Sequence, residues 1–66
     1  MTYSKKIGKN IRKIRENKKI TQEELGRIAD ISKRQIIRIE DGENQKVKTL
    51  EKIAQALLVT FKDLIK

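Results

Sequence analysis

Hydrophobic positions along the chain recur at the three- and four-residue spacing of helices. Ile7, Ile11 and Ile14 form one stripe, with Lys5, Lys6, Lys9, Arg12 and Lys13 on the opposite side. Leu50, Ile53, Ala54 and Leu57 repeat the pattern and predict a later helix whose apolar face closes the core. Between these lie two shorter segments, each opened by a polar cap and an apolar clamp across it. Thr21 precedes Glu24 by three residues and Ile20 can staple to Leu25; Ser32 precedes Gln35 by three and Ile31 can staple to Ile36. Asp30 and Ile31 are left for a tight turn, where Asp tolerates left-handed backbone, and Gly42 closes the second segment. Gly26 and Ala29, beside Leu25 and Ile28, leave the first segment's inner face partly stripped, so another helix can approach. Thr60 with Asp63, and Val59 with Leu64, predict a short last helix over Phe61–Ile65. Ser4 is the expected cap of the first helix after a lead-in over 1–3, Asn17 suits its end, and 43–46 reads as a loop.

At 100° per residue, Ile36 and Ile39 share one side of the second segment with Gln35 at the margin. Lys33, Arg34, Ile37 and Arg38 share the outer arc. The charges oppose the helix dipole, with Lys33 and Arg34 in the first turn and Glu40 in the last, each mismatch costing about 0.3 to 1 kcal/mol. A polyanion before the first two and a cation beside Glu40 would remove both conflicts. Arg15, at the border of the first stripe next to Gly8, is an arginine that requires a partner.

The stretch TQEELGRIADISKRQIIRIEDGE resembles the helix-turn-helix of the phage repressor and Cro type, also called Xre-like, and the likeness runs from Ile7 through Ile65. The resemblance implies an all-α, compact five-helix lambda-repressor-like domain over 1–66, with the motif at about 21–42 formed by helices two and three. It pairs Arg15 with Glu40 as a structural salt bridge. It places Gln22, Lys46 and Lys48 at the DNA backbone, where Gln35 is also expected, and dimerisation in the C-terminal region. Two departures stand out. Gly26 and Asp30 replace the usual alanine and glycine of the motif, which predicts a helix weaker by about 1 kcal/mol at Gly26. Leu58 stands where a glycine often follows the fourth helix.

Composition narrows the picture. Sixty-six residues with 36% hydrophobic content make one small domain, without cysteine, histidine or proline. The longest apolar run, 56–59, is far short of a membrane span, and the N-terminus lacks the apolar core of a signal peptide, so a soluble, cytoplasmic, nucleoid-associated protein is expected. Of the net charge of +8, all lies up to Arg38, with 12 Lys and Arg against 4 Asp and Glu; from Ile39 onward there are 5 against 5. Without His or Cys, serine-histidine and cysteine-histidine nucleophiles are impossible, and adjacent Glu23 and Glu24 point to different sides of a helix. No enzyme and no cofactor or metal are expected.

The expected function is sequence-specific recognition of double-stranded DNA by a transcriptional repressor, with the helix Lys33–Glu40 in the major groove, its N-terminal end inward. Lys33, Arg34 and Arg38 would reach base edges, Arg38 having a phosphate as its other option. Ile37 would meet a thymine methyl or simply widen the core face. Six apolar residues within 57–65 are more than so small a domain is expected to need, so that some finish the core and others meet a second copy. Phe61, Leu64 and Ile65 are assigned to a homodimer interface on a palindromic operator, the alternatives being a complete monomeric core or a domain of a longer regulator that dimerises elsewhere. The alternative is an antitoxin or protein-interaction module with a toxin or other protein partner. Membrane binding is not expected, since helix one uses its isoleucines for the core.

Overall fold

The computed structural model describes residues 3–66, and side chains from Ser4 onward. Five helices follow in order: α1 (Tyr3–Asn17), α2 (Gln22–Ala29), α3 (Lys33–Glu40), α4 (Val47–Ala56) and α5 (Phe61–Ile65). α2 packs on α3 and α4, α1 packs on α3 and α5, and α4 meets α5. The body measures 28 × 21 × 20 Å. Every helix supplies the centre: Ile11 from α1, Leu25 from α2, Ile36 and Ile39 from α3, Ile53 from α4 and Leu64 from α5, joined by Leu57 just beyond α4. Asn10 Nδ2 donates to the Leu64 carbonyl at 2.8 Å and pins α5 to α1.

The caps explain where α2, α3 and α5 begin. Thr21 and Glu24 exchange hydrogen bonds, as do Thr60 and Asp63, while Ser32 Oγ accepts from the Gln35 N–H without a return bond. α1 differs from expectation. Tyr3 opens the helix and Ser4 lies inside it, so Ser4 is not the cap; residues 1–2 of the expected lead-in lie outside the described residues. Ile28 also differs, because one turn of α2 that buries Leu25 and Ala29 turns Ile28 outward, 59% exposed.

The first four helices end alike. In each, the residue of left-handed backbone donates back three residues and its successor donates back five. The four left-handed residues are Lys19, Asp30, Gly42 and Leu58, with φ of 59°, 60°, 101° and 58°. Leu58 therefore adopts the glycine conformation, and α4 ends normally.

Two glycines act by leaving space. A Cβ on Gly8 would collide with the Ile39 carbonyl, and one on Gly26 would lie 2.5 Å from the Ile31 carbonyl. The first lets α1 cross the end of α3, and the second brings the turn of the motif down onto α2.

Candidate nucleic-acid interface

α3 is anchored by Ile36 and Ile39, both essentially fully buried, which fixes what its other side presents. Lys33 and Arg34 are exposed in the first turn, followed by Ile37, which is 38% exposed, and Arg38. The wider-core reading of Ile37 does not hold, because its neighbours at 36 and 39 already meet the interior and leave it on the outer arc.

The inner end of α3 is held by a hydrogen-bonded network. Arg15 Nε lies 2.6 Å from Glu40 Oε2 and Arg15 Nη2 lies 3.1 Å from Glu40 Oε1, so the guanidinium holds both carboxylate oxygens. Arg15 Nη1 donates to the Ile20 carbonyl at 2.8 Å, and Gln22 Nε2 donates to Glu40 Oε1 at 3.1 Å. The hydrogen bond to Glu40 raises the Arg15 pKa above its ordinary value against the opposing effect of burial. Glu40 thus receives its cation, and the ends of α1 and α3 and the start of α2 are joined at one carboxylate. Gln22 faces this network with one amide proton committed to it.

The outer edge of α3 is engaged by the loop that follows. Arg38 Nε lies 3.2 Å from Glu43 Oε2, with both side chains more than half exposed, and Gln35 Nε2 donates to Gln45 Oε1 at 3.2 Å. The sequence reading missed Glu43 and Gln45. The signal was present in Gly42, since a left-handed helix end returns the following residue to the carbonyl five positions back, which is Arg38. Lys46 and Lys48 are exposed at the head of α4, where Lys46 occupies the cap position without a side-chain cap bond.

Of the residues assigned to a second copy, Phe61 is half-buried and Ile65 is 36% exposed. Leu64 is a correction: it has no exposed surface, because it belongs to the core cluster of its own chain. Leu58, 85% exposed, stands out instead. No helix among the described residues is long and apolar enough to cross a membrane.

Comparison with known proteins places this geometry among relatives. The family model described as helix-turn-helix matches residues 11–64. No curated protein matches the chain in sequence. Among solved structures, the clp gene regulator ClgR from C. glutamicum superposes with a TM-score of 0.91 at 22% identity, over 97% of this chain and 84% of that one. The restriction-modification controller protein C.AhdI from Aeromonas hydrophila gives 0.88 at 26% identity, over 91% and 88%. An HTH_3 family transcriptional regulator from Vibrio cholerae gives 0.88 at 24% identity, over 94% of this chain and 35% of that one.

Proposed function

The chain belongs to the helix-turn-helix family, and from that premise we propose that it is a sequence-specific regulator of transcription, a repressor, that reads double-stranded DNA with α3 in the major groove. The observation that carries this reading is the outer arc of α3. Lys33 and Arg34 oppose the helix dipole in its first turn, a placement that stability alone would reverse and that an approaching polyanion turns favourable. Arg34 and Arg38 can each address the paired acceptors of guanine, Lys33 can address one of them, and Ile37 can pack on a thymine methyl. Gln22, Gln35, Lys46 and Lys48 line the groove edges as backbone contacts. The likeness to a restriction-modification controller protein agrees with a regulatory role.

The protein acts as a homodimer in this proposal, with Phe61, Ile65 and the exposed Leu58 as the apolar surface between copies. Two α3 helices then read half-sites about ten base pairs apart. The test is selection of bound duplexes from a random pool at about 0.15 M salt, where nonspecific attraction is weakened. A palindrome is expected, and Arg34→Ala should erase about 1 to 3 kcal/mol of preference at one base pair of each half-site. Binding at low salt with no enriched sequence would reduce the basic half to an electrostatic surface and end the proposal.

A further inference from the structure

The α3–α4 loop holds α3 at two points on one edge. Gly42 turns the backbone at φ 101°, and the Glu43 N–H returns to the Arg38 carbonyl at 3.1 Å. The same turn sets the Glu43 carboxylate 3.2 Å from Arg38 Nε. Two residues later, Gln45 accepts the amide proton of Gln35, which lies three positions before Arg38 and so on the same edge of the helix. The ion pair is thus built into the way the helix ends.

Its presence is not explained by stability, because an exposed ion pair contributes little to the folded state. Nor does an isolated carboxylate suit a surface that faces phosphates. We propose that Glu43 is a positioning residue for base recognition: it grips Arg38 by its Nε edge and aims the remaining N–H donors at a single guanine, setting base preference without touching the DNA. The inference rests on the reading of α3 as the recognition helix. A guanidinium carries five N–H donors, so a carboxylate at Nε leaves donors for the N7 and O6 acceptors together. Arg38 held in this way loses less side-chain freedom on binding than an unrestrained arginine. The pair also decides between the two roles open to Arg38. Swinging away to a phosphate would strand the Glu43 carboxylate beside a polyanion, whereas reaching a base keeps the pair intact.

The test compares base preferences selected from a random duplex pool by the wild-type chain, Glu43→Gln, Arg38→Ala and the double variant, with thermal unfolding of each. Glu43→Gln should unfold at the wild-type temperature and lose guanine preference about tenfold at one base pair per half-site, as for a weakened bidentate contact. Arg38→Ala should lose preference at that same base pair, and the double variant should lose nothing further there. Affinity of Glu43→Gln for random duplex at low salt should rise, because a negative charge has gone. Wild-type preference retained at that base pair in Glu43→Gln would leave Glu43 a mere surface charge and overturn the inference alone. Loss at a different base pair from Arg38→Ala, or equal loss at all of them, would also overturn it. A wild-type chain that selects no sequence would instead bring down the reading of α3, and this inference with it.

Discussion

Arg15 gives up most of its contact with water, and the groups that replace it are the two oxygens of Glu40 and the carbonyl of Ile20. Removing the arginine leaves a carboxylate whose side chain is 3% exposed without its counter-charge. Arg15→Ala should therefore lower the unfolding free energy by about 3 to 5 kcal/mol in urea denaturation. Unchanged stability would remove the network from the account of the fold. Gly26 makes the opposite point about how much a residue type reveals. Helix propensity favours alanine there by about 1 kcal/mol, but its Cβ would lie 2.5 Å from a backbone carbonyl that cannot easily move. Gly26→Ala should lower the melting temperature, with overpacking of about 1 to 3 kcal/mol outweighing propensity. The apparent weakness of Gly26 in the sequence came from judging it by its own helix alone. Its reason lies in the turn five residues later.

The helix starts were legible because a cap is a local chemical device, complete within four residues. Thr21 with Glu24 and Thr60 with Asp63 needed no tertiary knowledge, and both pairs close in full. They also make stability depend on pH. The backbone N–H of Thr21 lowers the Glu24 pKa, and that of Thr60 lowers the Asp63 pKa. A carboxylate whose folded pKa is depressed contributes stability that is fully present above its unfolded value of about 4, and that is lost as pH falls through the folded value. Melting temperature should accordingly decline below about pH 4, and less steeply in Glu24→Gln; parallel curves for the two proteins would separate the cap from the acid response. Helix ends were less legible. Lys19 and Leu58 take left-handed backbone that their side chains do not advertise, since the hydrogen bonds closing a helix end come from the main chain, whatever the residue. The start of α1 was placed too late because a serine ahead of an apolar stripe reads as a cap, whereas Tyr3 and Ser4 both belong to the helix.

For the molecule as a whole, the stripes of isoleucine and leucine fixed which helices share the core, so the five-helix arrangement followed from periodicity together with the family likeness. The outer arc of α3 was equally readable, because a helix with two buried isoleucines has only one face left. The loop partners Glu43 and Gln45 were not, since their contacts depend on how the chain leaves α3. Leu58 belongs to this scale too. It combines strained backbone, costing about 1 to 2 kcal/mol, with an apolar side chain 85% exposed, and neither benefits a lone protomer. Leu58→Gly should raise the melting temperature of the monomer in dilute solution and weaken association in sedimentation equilibrium. Association that stays unchanged would take Leu58 out of the interface. The bond from Asn10 to the Leu64 carbonyl spans 54 positions of sequence. At ribosomal rates of about 5 to 20 residues per second, α1 is synthesised roughly 3 to 11 seconds before the helix that completes its cover. The helix synthesised first can thus be covered by α3 on one side while the side that meets α5 waits, and the nascent chain completes its native core only once Leu64 has cleared the exit tunnel.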